Sequence, residues 1–125
     1  DILLTGGTSV VVLDKNPINR GHVLVIPQRH ALDLAALTSE EVTEVALLAQ
    51  RADQAIRRTF GASVEGTNLL MSNGSAADQG VLHAHLHVIP RSVGDGYEFR
   101  EDYSRYPLGP LSPSERRDLG DRLRP

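Results

Sequence analysis

The sequence predicts an α+β fold in which one long helix covers one face of an antiparallel sheet. Three observations predict it. Short β-branched and apolar runs recur at Thr8–Leu13, His22–Ile26, Thr67–Met71 and Val81–Arg91. A single long segment, 38–60, carries apolar residues at helical spacing. The last β-type run alternates apolar residues with histidines, so its two faces must meet different surroundings.

The elements follow in order. Thr8–Leu13 reads as a strand, and Asp14-Lys15-Asn16-Pro17-Ile18-Asn19-Arg20-Gly21 is dense in turn formers and reads as a loop. His22–Ile26 is a second strand stopped by Pro27, and the two strands are expected to pair antiparallel. Thr38-Ser39-Glu40-Glu41 is a capping-box signal, with Thr38 as N-cap and Glu41 at the third helical position. Val42, Val45, Ala46, Ala49, Ala52, Ile56 and Phe60 then mark the buried stripe, and Gly61 the stop. Thr67–Met71 is a third strand, and Ser72–Gly80 is a loop rich in Gly, Ala and Ser. After Pro90 the chain is polar and irregular through Pro110. Ser112-Pro113-Ser114-Glu115 caps a short C-terminal helix. The expected order is β-β-α-β-β with a tail helix, as one domain over residues 1–125.

Composition narrows the class of function. The chain is 40% hydrophobic and 23% charged with a net charge of −3. That mild acidity argues against binding nucleic-acid backbones, which takes clustered Lys and Arg. No apolar stretch approaches the roughly 20 residues of a membrane span. These residues include no cysteine, which removes disulfides, thiol nucleophiles and thiolate metal ligands. No signal-peptide pattern is visible, so a cytoplasmic location is the default expectation.

The chemistry is expected in Val81-Leu82-His83-Ala84-His85-Leu86-His87-Val88-Ile89-Pro90-Arg91. Read as one strand, it lines His83, His85 and His87 on one face with Cα atoms roughly 6.7 Å apart. Leu82, Ala84, Leu86 and Val88 would point into the core. Imidazoles pack poorly but titrate near neutrality, so a row of three favours chemistry over structure. Two chemistries remain open on geometry alone. Histidines can ligate a metal, although the outer pair, roughly 13 Å apart at Cα, is too wide for one ion on a straight strand. Alternatively one imidazole attacks phosphorus while its neighbours bind oxygens or handle the leaving group's proton.

His83-Ala84-His85-Leu86-His87-Val88-Ile89 resembles the signature of the histidine triad (HIT) family. Gln79 stands four residues before the first of these histidines, and Pro90-Arg91 follows them, as in many members. Leu13-Asp14-Lys15-Asn16-Pro17, the run Gly21–His30 and Gly94-Asp95-Gly96 are similar to other segments of small bacterial members.

The resemblance, over about residues 8–99, implies a homodimer with a joined sheet and a purine nucleotide (AMP-like) pocket in each protomer. It needs no cofactor or metal. It implies His85 as the nucleophile that attacks the α-phosphate of a nucleoside phosphoramidate or phosphoanhydride, as in phosphoramidases and dinucleoside polyphosphate hydrolases. A nucleotidyl-histidine forms and water releases the nucleoside monophosphate. His22 would orient or polarise that nucleophile, while His83 and His87 contact phosphate oxygens and Gln79 holds the phosphate. Asp14 would bind the ribose hydroxyls, with Val12, Leu13, Pro17 and Leu24 around the base. Ser72 and Asn73 occupy the place of a phosphate-side amide. Nucleotidyl transfer to phosphate or a sugar phosphate, or nucleotide binding without turnover, are the alternatives.

Three departures bear on the leaving group. Ser72 stands where many members carry Asn or Gln, Gly80 where a hydroxyl residue is common, and Asp78 in place of the usual Gly. These residues also carry no C-terminal Trp motif of the eukaryotic phosphoramidase branch, and that branch's N-terminal zinc-ligand cysteines are absent or trimmed.

Overall fold

The computed structural model, which describes residues 1–106 and 109–125, contains one five-stranded antiparallel sheet. Its strands are β1 (Ile2–Thr5), β2 (Ser9–Leu13), β3 (Val23–Pro27), β4 (Gly66–Leu70) and β5 (Leu86–Arg91), in spatial order β1-β2-β3-β5-β4. Helix α1 (Ser39–Phe60) packs across β2, β3 and β5, and a short α2 (Pro113–Leu123) follows the irregular segment. Within that segment Pro107 and Leu108 lie outside the described residues. No helix among the described residues is long and apolar enough to cross a membrane.

Strand alternation sorts side chains to two faces. Val11, Val23, Val25 and Val88 meet Val45, Leu48, Ala49, Ala52 and Ile56 of α1 in the buried core. The helix starts as its sequence requires: the Thr38 side chain accepts from the Glu41 amide, and Glu41 accepts from the Thr38 amide. Glu41 is also buried and takes a two-pronged bond from Arg29, which holds its carboxyl down at about 2. Arg29 therefore anchors the segment that begins with His30 to the first turn of α1.

Several expectations change. β1 was absent from the expected order; it pairs with β2 through an irregular register and makes the sheet five-stranded. Val42 and Ala46 of the predicted stripe are exposed, while Leu48 takes a buried place. The largest correction falls on the histidine run. β5 begins only at Leu86, so His83 and His85 precede the strand and only His87 lies in its ladder. Leu82 is 65% exposed rather than inward-facing, because alternation does not extend into the turn at 81–83. Ala84 does go inside, with its amide donating to Ala31 O at 2.7 Å.

Candidate active site

The face away from α1 holds a row of cross-strand neighbours: Val12 opposite Leu24, Leu24 opposite His87, and His87 opposite Leu70. Direct partners on adjacent strands share a face, so Val12 and Leu24 form an apolar floor beside the His87 imidazole. Both are half-buried. Leu13, one residue on, turns to the helix side and lines a cavity of about 530 Å³ with Leu3, Val11, Ile56 and Phe60. Pro17 stays exposed on the β2–β3 loop.

His22 closes that loop immediately before β3. Gly21 has φ +91°, and a Cβ there would meet the Phe60 ring at 2.5 Å, so only glycine brings the chain round this close to α1. His22 is 2% exposed, with its Nε2 2.9 Å from His87 Nδ1. Its other nitrogen, Nδ1, accepts from the Ile18 amide at 3.1 Å and lies 3.7 Å from Asp14 Oδ2. Asp14 Oδ1 meanwhile accepts from the Asn16 amide, so this carboxylate also builds the turn.

The hydrogen bonds assign the tautomers. A main-chain amide only donates, so His22 Nδ1 accepts and its proton sits on Nε2. That proton is given to His87 Nδ1, which leaves the proton of neutral His87 on its Nε2. His85 Nδ1 stands 2.8 Å from the His83 carbonyl oxygen, which only accepts. His85 therefore carries its proton on Nδ1 and keeps a bare lone pair on Nε2. The His85 and His87 rings lie 4.9 Å apart at 72°. One unprotonated nitrogen thus stands beside one N–H donor. Burial lowers the pKa of His22, partly opposed by the Asp14 carboxylate. Burial first, then the neighbouring His85 and His22, lower that of His87. Both effects keep the pair neutral, as the tautomer chain requires.

The three triad residues consequently form no single row. His85, His87 and His22 cluster, whereas the His83 ring turns aside: its Nε2 donates to Pro27 O at 2.7 Å and its Nδ1 faces His30 Nδ1 at 3.3 Å. What His83 gives the cluster is its carbonyl. Gln79 is also turned inward and 7% exposed. Its Oε1 accepts from the Gly74 amide, and its Nε2 donates to Leu32 O and Val81 O. That amide braces the loop leading to His83, and a phosphate contact by it would cost one of these bonds. Asn73 Oδ1 accepts from the Leu34 amide, and Ser72 is half-buried beside it. Asp78 is exposed and left-handed, with φ +64°.

Among the described residues one group of three side chains could share a metal ion: Asp14, His22 and His87, with donor atoms within 4.8 Å of one another. His22 Nε2 and His87 Nδ1 already face each other with a proton between them, and Ile18 caps His22 Nδ1. An ion there would displace both bonds. His30 and His83 offer two close nitrogens, but no third donor joins them among the described residues.

Sequence reasoning did not find the groups that set these tautomers. The Ile18 amide and the His83 carbonyl are main-chain atoms, which every residue carries, so no residue pattern marks them. The contact of His30 with His83 likewise depends on a turn that brings residues 30 and 83 together.

An antiparallel sheet roofed by one helix, with an ordered imidazole cluster on its open face, defines a small histidine-centred α+β class. The HIT domain model matches residues 1–94, and the chain belongs to the HIT family. It is 37% identical over 109 residues to an uncharacterized HIT-like protein of Mycobacterium tuberculosis, covering 82% of this chain and 74% of that one. It is 33% identical over 118 residues to the adenosine 5′-monophosphoramidase of Schizosaccharomyces pombe, covering 92% and 79%. Among solved structures, a zinc-bound histidine triad family protein from Mycobacterium smegmatis superposes with a TM-score of 0.70 at 39% identity, covering 83% and 74%.

Proposed function

We propose that this protein hydrolyses nucleoside 5′-phosphoramidates or phosphoanhydrides at the α-phosphate, releasing a nucleoside monophosphate. The observation that carries the reading is the His85 imidazole, protonated at Nδ1 by its bond to the His83 carbonyl and unprotonated at Nε2. That nitrogen carries the free lone pair a nucleophile needs. The phosphoramidase activity of the fission-yeast relative supports the same reaction class.

His85 Nε2 attacks phosphorus as the bond to the leaving group breaks, giving a nucleotidyl-His85. A phosphoramidate nitrogen departs as the neutral amine from its N-protonated form, and an anhydride oxygen as the phosphate anion. The imidazole, still protonated at Nδ1, becomes cationic, and the His83 carbonyl dipole stabilises it. His87 Nε2–H donates to a non-bridging phosphate oxygen or to the leaving group. His22 orients and polarises His87 and passes it no proton, because the Ile18 amide occupies the nitrogen that would have to be reprotonated. Water then attacks phosphorus and loses its proton to solvent as the new P–O bond forms, and the P–N bond breaks so that His85 leaves as the neutral imidazole.

Val12 and Leu24 form a floor suited to a purine, and Asp14, close by at the end of β2, takes the ribose hydroxyls. Gln79, Ser72 and Asn73 shape the phosphate side through the loop they brace. Zinc, bound by the mycobacterial relative, would meet at most the three donors of Asp14, His22 and His87 among the described residues and not the four of a structural site. The free outer edge of β4, with Leu69 54% exposed, supports a homodimer through edge pairing.

The test is rapid-quench mass spectrometry with adenosine 5′-phosphoramidate and with a diadenosine polyphosphate. An adenylyl adduct on His85 followed by AMP release is expected. AMP release with His85 replaced by Asn would overturn the assignment. Release that requires added phosphate and yields ADP would assign a transferase instead.

A further inference from the structure

Asn19 and the Gly94-Asp95-Gly96 segment lie outside the imidazole cluster, and hydrolysis as described gives them no task. They form a polar clamp of their own. Asn19 Nδ2 donates to Pro90 O and to Asp95 Oδ2, both at 2.8 Å. Arg91 grips the same carboxylate from its other side, Nε to Oδ2 at 2.7 Å and Nη2 to Oδ1 at 2.9 Å. Its Nη1 reaches Asn68 Oδ1 on β4 at 2.7 Å. The Arg91 guanidinium holds the Asp95 carboxyl well below the usual carboxylate range. β5 and the chain after it therefore hold the Asn19 side chain directly, while β4 holds Arg91.

The clamp lies one residue from the group that sets the His22 tautomer. Asn19 O accepts the His22 amide at 3.0 Å, and Ile18, the residue before, donates its amide to His22 Nδ1. We propose that Asn19, held by Asp95 and Arg91, is a positioning residue that keeps the Ile18 amide on His22 Nδ1 and thereby keeps His87 protonated at Nε2. The proposal takes its substrate from the hydrolase reading and adds a determinant outside the imidazoles.

The physical reason is a competition at His22 Nδ1. The groups facing this ring are the Ile18 amide and the Asp14 carboxylate at Nδ1, His87 from β5 at Nε2, and His85 beyond His87. With Ile18 in place, Nδ1 can only accept. If the loop drifts, Asp14 Oδ2 at 3.7 Å becomes the remaining partner and favours a proton on Nδ1. His22 Nε2 then accepts, His87 must donate from its own Nδ1, and the His87 nitrogen facing the substrate becomes a lone pair. A lone pair repels phosphate oxygen where an N–H would bind it. The carboxylate would also make His22 easier to protonate.

The experiment compares wild type with Asn19→Ala by long-range ¹H–¹⁵N spectra of the imidazoles and by the pH profile of kcat. The wild type should show His22 protonated at Nε2 alone. Asn19→Ala should shift His22 toward the Nδ1–H form, lower kcat roughly ten- to a hundredfold with a smaller change in KM, and move the acid limb to higher pH. Asp95→Asn should act in the same direction and replaces Asn19→Ala should that variant fail to fold. Ile56→Val, in the core on the helix side, should lose stability while both the tautomer and the acid limb stay in place. If the clamp variants lose stability yet keep the wild-type His22 tautomer and acid limb, Asn19 is merely structural. The spectra read the tautomer whether or not phosphoramidates are substrates, so failure of the hydrolase reading is separately visible.

Discussion

The two faces of the sheet are built from the same strands and obey opposite rules. On the helix side Val11, Val23, Val25 and Val88 need only be apolar and of the right volume to meet α1. On the open side His22, His85 and His87 must present particular nitrogens to one another, and each bond depends on where a proton sits. Apolar burial is concentrated on the first face and the ordered imidazole hydrogen bonds on the second. The difference shows also in what each face lines: a cavity of about 530 Å³ opens on the apolar side, bounded by Leu3, Val11, Ile56 and Phe60, while His22 on the other side is 2% exposed and hydrogen-bonded to His87.

Four perturbations should separate the faces, in descending order of effect. His85→Asn should reduce AMP release at least about a thousandfold, with little change in melting temperature, because it removes the nucleophile and spares the core. A matching collapse of stability in a thermal melt would break the separation. Val88→Ala should do the converse, costing about 2–3 kcal/mol by opening a cavity under α1 while kcat, assayed well below the melt, stays within a few-fold.

Acid should act through the imidazole face. His22 and His87 have pKa values below 6.5 in the folded state, so the unfolded chain binds more protons between those values and 6.5. Their contribution to stability is therefore present above about pH 6.5 and is lost as pH falls through the folded values. Urea melts from pH 7.5 to 5 should show the decline, and His22→Asn should flatten it. The smallest effect is expected at Asp78, the one non-glycine with positive φ among the described residues. Asp78→Gly should stabilise by up to about 1 kcal/mol by relieving the left-handed backbone, read as a small rise in melting temperature. A fall would mean that the carboxylate contributes an interaction that the backbone relief does not offset.

Much of the helix face was legible because it is written in periodicities. Residues 38–60 announce α1, its capping box and its glycine stop, and 8–13 with 22–26 announce the central strand pair. β1 was missed because Ile2–Thr5 is a short edge strand whose alternation is not sorted by a covering layer: three of its four residues are exposed. The histidine run was misread as one continuous strand because alternation in sequence does not say where the ladder begins. The turn at 81–83 and the Ala84–Ala31 bond decide that, and both depend on contacts between distant segments.

The amino-acid sequence by itself determined which side chains could do chemistry: five histidines, three of them on alternate residues, no thiol, and the loop and strand residues that mark the HIT family. Only the tertiary structure decided their division of labour. It groups His85 and His87 with His22, sends the His83 ring to Pro27 and His30, and turns Gln79 into a brace. The physical reason is that a tautomer is set by whatever faces each ring nitrogen, and here those partners are an amide at residue 18 and a carbonyl at residue 83. Every residue carries such main-chain groups, and only the fold selects the two that meet an imidazole.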